Sequence, residues 1–303
     1  MPRLSDRLVL GVLLGPGVFA LATAVIFIKL SSLPVGFIAV GRLLGGAILL
    51  WPLMAYERRR AAKASLKQLI RPTLLPGLLL AAHFITWFIG VRLTSAANAS
   101  LIVNLTPVVM PFALLALVGE RVTRREIVGS VLSLVGVAVL AMGSARVARD
   151  GFVGDLICLV SMVLAVLYLT LARRGGATRH GIGSYLVPLY LVAGVATAIY
   201  MVAVGEVQTI LGGEFNWWRE ALLLALLAIL PTAFGHGWLN YSMTRVRGQI
   251  VALASLGQIL WAALLAVPLL NEYPQASFYP ACLLIAAGAA VAIYRPRTGN
   301  RTP

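Results

Sequence analysis

The stretch Ser100 to Leu140, SLIVNLTPVVMPFALLALVGERVTRREIVGSVLSLVGVAVL, decides the fold. Two apolar runs flank Gly119-Glu120-Arg121 and a basic connector, and the arrangement returns later in the chain. Residues 252–293 repeat the order at an offset of 152 residues: a polar-flecked helix, a turn at Asn271-Glu272 and a small-residue helix. At about 1.5 Å per residue, each run is long enough, or nearly so, to cross a hydrocarbon core about 30 Å thick.

Working outward, ten such runs appear: 8–28, 34–56, 72–91, 96–118, 127–142, 156–171, 182–204, 221–241, 250–270 and 278–294. Hydrophobic residues make up 60% of the 303 and the mean hydropathy is +0.93, which leaves little material for a soluble domain. The longest connector, 57–71, is too short to fold alone. The expected fold is therefore an all-α membrane protein with ten transmembrane helices. Each half holds five, an odd number, so the second half enters the membrane from the opposite side. This predicts two five-helix inverted repeats, 1–146 and 147–303, around a central cavity, an architecture recurrent in transporters.

Charge sets the orientation. With the N-terminus cytoplasmic, the inside segments collect nineteen of the 25 basic residues and the outside keeps five, namely Lys29, Arg92, Arg146, Arg149 and Arg219. The positive-inside rule then places both termini in the cytoplasm of a cell whose inner membrane the chain crosses. The same scatter of bases over short loops argues against nucleic acid as the partner of the net charge of +15, and an anionic lipid surface suffices. Arg3, Arg7 and the small residues Ala20, Ala22 and Ala24 imitate a cleavable signal peptide, but the apolar run continues through Ile28 and reads better as a first span. Cys158 and Cys282 both fall inside spans and read as packing residues rather than a disulfide.

Phe27-Ile28-Lys29, Pro34 and Arg42, followed by the segment Thr94 to Leu140 with its Pro107 and Gly119-Glu120-Arg121, resemble the EamA family of the drug/metabolite transporter superfamily. GDLICLVSMVLAVLYLTLARR from Gly154 to Arg174 and the segment around Glu272 continue the likeness. Departures sit in the second half, where Gln258-Ile259 replaces the proline and Asn271-Glu272-Tyr273-Pro274 replaces Gly-Glu-Arg. The resemblance implies ten helices around a cavity and export of small metabolites, commonly amino acids, with the aromatic amino-acid exporters as the branch considered. It also implies that spans five and ten lie apart from the cavity. Gly129, Ser133 and Gly136, with Ala286, Gly288, Ala290 and Ala292, supply the small residues that such a packing pair needs.

Polar side chains inside lipid are costly, so each is satisfied by a neighbour or faces a water-filled path. His83 and Trp87 share one face of span three, and His236 and Asn240 share one face of span eight. Asn98, Asn104, Gln258 and Trp261 come from spans four and nine, and Tyr168 from span six. These nine are the candidate substrate-binding residues; an interhelical hydrogen bond is the alternative role of each. Pro16, within Gly15-Pro16-Gly17, and Pro107 are the candidate gating hinges.

Absences narrow the cargo. No acidic residue lies in the middle of a span, which disfavours lipophilic cations, and Arg42 is the one buried base, too few for phosphorylated compounds. Arg42 is equally readable as a bond donor to carbonyls that steadies span two. A neutral or zwitterionic molecule remains, large or aromatic amino acids first. Without a phosphate-binding loop, facilitated diffusion by alternating access is the expected mechanism. A proton-coupled exporter of other neutral or drug-like metabolites, using His83 or His236, is the alternative. An intramembrane enzyme lacks both Gly-x-Ser-x-Gly and His-Glu-x-x-His, and a lipid-handling or scaffolding protein would not pair polar faces in equivalent helices. No catalytic residue, cofactor or metal is expected, and the partners are the substrate and the bilayer, with the chain as a monomer or, alternatively, a dimer.

Overall fold

Runs that are apolar on every face can satisfy their backbone in lipid only by bonding along themselves, which makes them helices. The computed structural model describes residues 4–60, 65–144, 151–175, 181–273 and 276–293. In chain order the long helices are α1 (Leu8–Leu30), α2 (Val35–Arg60), α3 (Lys67–Leu93), α4 (Ala96–Val103 and Thr106–Val118), α5 (Arg124–Ser144), α6 (Phe152–Gly175), α7 (Ile182–Ala203), α8 (Trp217–Arg245), α9 (Gly248–Leu270) and α10 (Phe278–Ile293). Among the described residues, eight of these, all but α5 and α10, are long and apolar enough to cross a membrane, and the protein is an all-α, multi-pass membrane protein. Exposed Trp51, Phe112, Ile199 and Leu283 belong to the lipid-facing surface.

Helix ends follow local chemistry. Ser65 opens α3 with a capping box, its hydroxyl accepting from Gln68 N at 3.3 Å while Gln68 Oε1 accepts from Ser65 N at 2.8 Å. Gly119 closes α4 in the left-handed conformation at φ 76°, and Asn271 closes α9 the same way at φ 56°. Asparagine is among the few residues that tolerate this region, so the departure from glycine leaves the turn intact. After each cap the glutamate N–H reaches back six residues, Glu120 to Leu114 O and Glu272 to Ala266 O, both at 3.2 Å. The offset of 152 carries the first bond onto the second.

The same offset governs α5 and α10, which pack on each other most extensively. A side chain at Gly129 would strike Gly288 O, and one at Gly136 would meet Ala281 O at 2.9 Å. Moving by 152 residues exchanges these two contacts. Ser133 and Ile285, themselves 152 apart, meet between them, the serine hydroxyl donating to Ile285 O at 3.4 Å. Glycine at 129, 136 and 288 is thus required by close approach of two backbones.

α2 and α7 make a second reciprocal pair. Glu57, in the last turn of α2, accepts from Gly183 N and Ser184 N at 3.1 and 2.7 Å at the start of α7, while Glu206, just after α7, accepts from Phe37 N at 3.2 Å at the start of α2. Each carboxylate thus satisfies the unpaired N–H groups of the other helix. Seven of the ten acidic residues bridge the two halves of the chain in this manner. Glu120 pairs with Arg173 at 2.6 Å, Glu126 pairs with Arg247, Glu272 pairs with Lys29 at 3.6 Å, Glu220 accepts from Ser31 Oγ at 2.5 Å, and Asp155 accepts from Thr94 Oγ1 at 2.7 Å. These contacts sort the chain ends into two faces. One carries Glu57, Glu120, Glu126, Arg173 and Arg247; the other carries Lys29, Glu206, Glu220 and Glu272.

Glu126 lies in the first turn of α5, outside the apolar span. Burial pushes its carboxyl up, but the Arg247 guanidinium and the Thr123 N–H and hydroxyl outweigh that and hold it below the usual carboxylate range. Arg247 is raised in return, chiefly by its hydrogen bond to Glu126.

The structure departs from the expected spans in four places. α1 widens into a π-type turn over Leu13–Gly17, at Pro16, and α8 does so over Ala228–His236, around Pro231. α4 breaks at Asn104-Leu105, just before Pro107 rather than at it. α9 breaks at Leu256 without any proline. The two breaks again lie about 152 residues apart.

Candidate functional site

One helical turn separates His83 from Trp87 on α3, and their rings stack at 6.3 Å with 11° between planes. Tyr168 of α6 also faces His83, 6.2 Å away and 29° from parallel. Its hydroxyl is 3.0 Å from Nδ1 of His236 on α8. Four rings from three helices therefore form a continuous ladder through the bundle. Phe84 backs it, edge-on to His236 at 5.3 Å.

His83 is held in one tautomer. Its Nδ1 lies 3.0 Å from Ser161 O and 2.7 Å from Ser161 Oγ, and the Ser161 hydroxyl donates to His83 O at 3.0 Å. A carbonyl only accepts, so Nδ1 carries the hydrogen and Nε2 of the neutral ring is left as an acceptor. Trp87 Nε1 and Thr106 Oγ1 are buried with no hydrogen-bond partner among the described residues. Buried donors of this kind are uncommon in a finished core and usual where a ligand or water completes the bonding.

The ladder forms one wall of a cavity lined by Leu21, Ala24, His83, Trp87, Val103, Asn104, Thr106, Ala165, Tyr168, Leu169, His236, Leu239, Ser255 and Gln258. Six helices contribute: α1, α3, α4, α6, α8 and α9. The helix breaks build the opposite wall. Where α4 and α9 are interrupted, Gln258 Nε2 donates to Asn104 Oδ1 at 3.1 Å across the cavity edge, and Asn104 Nδ2 donates back to Ser100 O at 2.8 Å. Discontinuous helices with polar side chains at the break are the membrane solution for exposing bonding groups to a solute. No carboxylate or lysine lines the cavity among the described residues.

Of the nine candidate residues, His83, Trp87, Asn104, Tyr168, His236 and Gln258 line this cavity. Asn240 is buried one turn behind His236, its Nδ2 donating to His236 O at 2.8 Å, and does not line it. Trp261 is 39% exposed and packs edge-on against Phe19 at 5.2 Å, outside the cavity. The helix carrying Asn98 is in place, but its side chain lies outside the described residues. Pro16 sits in the wide turn of α1, and Pro107 in the first turn after the α4 break, where its carbonyl accepts from Gln249 Nε2 at 3.0 Å. Ser161, Thr106 and Ser255 escaped sequence reading because serine and threonine are unremarkable in a span; only the four-residue spacing of Ser161 to Ala165 and Ala165 to Leu169 on the inner face of α6 would have pointed to the first.

Among the described residues, no carbonyl accepts from Arg42. Its Nε donates to Thr232 Oγ1 at 2.6 Å, and its guanidinium lies over the Phe84 ring at 4.2 Å. The expected carbonyl-bonding role is replaced by one hydroxyl and an aromatic face.

Residues 7–142 match the model of the EamA-like transporter family. A solved crystal structure of a 22% identical protein superposes with a TM-score of 0.72 over 95% of this chain and 97% of its own, and shares the fold. None of the curated proteins compared with the chain matches it.

Proposed function

We propose that the chain, whose residues 7–142 match the model of the EamA-like transporter family, is a ten-helix transporter of two inverted five-helix repeats, 1–146 and 147–303, that moves neutral or zwitterionic small molecules across the inner membrane. The recurrence of caps, helix breaks and the α5/α10 contacts at one offset of 152 supports the repeat. Bases concentrated on the Glu120 face support a cytoplasmic position for that face and for both termini.

The observation that carries the reading is the uncharged, ring-lined cavity at the α4 and α9 breaks. His83, Trp87, Tyr168 and His236 offer a stacking surface, and Asn104 and Gln258 offer amide donors and acceptors. This chemistry fits amino acids, large or aromatic ones first. Asn240 and Trp261 act through His236 and Phe19 rather than by touching cargo. Pro16 and Pro107 mark where α1 and α4 bend as the cavity alternates between faces. No carboxylate lines the cavity among the described residues, and facilitated diffusion is the mode of transport that this lining supports.

Proteoliposomes of the purified chain, free of ATP, should equilibrate labelled phenylalanine or tryptophan at a rate set by the concentration gradient alone. No flux for any member of an amino-acid panel sinks the cargo assignment. The His83–Tyr168–His236 series favours one second reading, proton coupling through the imidazoles. Flux that collapses when the proton gradient is dissipated selects it.

A further inference from the structure

Arg42 is the largest fully buried side chain among the described residues, eight residues into α2. Thr232 of α8 fixes one corner of it: the threonine hydroxyl donates to Leu227 O at 2.7 Å and accepts from Arg42 Nε at 2.6 Å. The planar face is covered by the rings of Phe84 and Phe88, at 4.2 and 5.7 Å. Tyr190 is committed elsewhere, donating to Thr232 O at 3.0 Å. Both terminal nitrogens, Nη1 and Nη2, are buried with no hydrogen-bond partner, and no carboxylate pairs with Arg42 among the described residues.

A buried guanidinium with its outer donors unpaired is among the least favourable arrangements a membrane bundle can hold. The cation–π contacts offset part of this through the flat face and leave the edge untouched. That edge presents parallel N–H groups from Nη1 and Nη2, the fork that matches the two oxygens of a carboxylate. Phe84 touches the guanidinium and, at 5.3 Å each, both His83 and His236. The histidines line the cavity, whereas Phe84 and Arg42 do not. Phe84 is thus the side chain in contact both with the flat face of the guanidinium and with two rings of the cavity wall.

We propose that Arg42 is the carboxylate receptor of the transport cavity, its Nη1/Nη2 fork taking the carboxylate of the cargo when Phe84 turns aside. The proposal rests on the reading of the cavity as an amino-acid route, and it adds what that reading lacks, a counter-charge for the zwitterion's anionic end. A small free monocarboxylate would satisfy the same fork.

Thermal unfolding of the full chain in chloride-free detergent solution separates the possibilities, because a ligand that binds the native state raises the midpoint by mass action. The probes are L-phenylalanine, phenethylamine, which lacks the carboxylate, and formate. Phenylalanine should bind about ten-fold or more tightly than phenethylamine, and formate should also stabilise the chain. Arg42→Gln should bring phenylalanine down to the phenethylamine level and abolish the formate shift. Should Arg42→Gln not fold, Arg42→Lys, which keeps the charge and loses the fork, should weaken phenylalanine by about three-fold or more and leave phenethylamine unchanged. Carboxylate preference that survives in a folded Arg42 variant overturns the proposal, and so does equal binding of phenylalanine and phenethylamine by the wild type; both leave the amino-acid reading standing. Stabilisation by formate that depends on Arg42, with no effect of any amino acid, keeps the receptor and removes the amino-acid cargo. No shift with any probe removes both.

Discussion

Two helix pairs related by the same offset of 152 residues do opposite things. In α5 and α10 the offset exchanges contacts so close that Gly129, Gly136 and Gly288 have no room for a methyl group. In α4 and α9 it relates two breaks, and the backbone interruptions open onto a cavity crossed by an Asn104–Gln258 bond. The first pair spends its symmetry on immobile backbone contact; the second spends it on exposed polar groups and places to bend. In α5 and α10 both partners supply small residues at matching positions, which is what lets the two backbones meet. Gly257, beside the α9 break, faces Val18 at an ordinary 3.4 Å and is not held in this way.

The sharpest break of this contrast is Gly288→Val. A Cβ there meets Ser133 Oγ and Gly129 O and stands 2.7 Å from Ser133 N, so the substitution should cost about 3 kcal/mol, read as a fall in Tm on the order of 10 °C or loss of monodisperse protein. Gly257→Ala, the control in α9, should change Tm by no more than about 2 °C. Equal effects at the two sites would erase the distinction. Trp87→Phe keeps a ring on the ladder and removes the unpaired Nε1–H; flux of aromatic amino acids should drop about ten-fold while Tm stays within a few degrees. Pro107→Ala should slow flux about three-fold with substrate affinity unchanged, since it alters the bend after the break and no group that lines the cavity; a matching loss of affinity would make Pro107 part of the binding surface.

The smallest effect concerns the rim. Glu126 is held below the usual carboxylate range, so its pairing with Arg247 stabilises the folded chain above the unfolded carboxylate pKa and is lost as pH falls through the lower folded value. Tm of the wild type should therefore decline as the pH drops from about 5 towards 3, and Glu126→Gln should flatten that part of the curve. An unchanged profile in the variant would assign the acid sensitivity to other carboxylates.

Much of the fold was legible because lipid imposes simple rules: apolar runs of spanning length become helices, and Pro16 and Pro107 announced that α1 and α4 would not be regular. Asn271 showed that a turn survives the loss of glycine, because asparagine reaches the same left-handed geometry. The break in α9 at Leu256 was invisible, since no proline or glycine pair marks it and its cause is tertiary. In the site, spacing alone placed His83 with Trp87. It misplaced Trp261, which shares α9 with Gln258 three residues earlier yet projects towards Phe19, because rotation about a broken helix cannot be read from periodicity. The acidic residues were recognised as lying at helix ends. That seven of them tie one half to the other was not readable, because each partner lies more than 50 residues away.

If the breaks of α4 and α9 are the places that bend around cargo, these two helices move while the close-packed α5 and α10 hold still. This is tested most directly by spin-label distances in a chain whose Cys158 and Cys282 have been replaced. One pair of labels goes at the exposed positions Leu115 of α4 and Leu264 of α9, the other at Val128 of α5 and Val291 of α10. Saturating phenylalanine should shift the first distance distribution and leave the second in place. An unchanged first distance, or a shift in the second, would contradict the account.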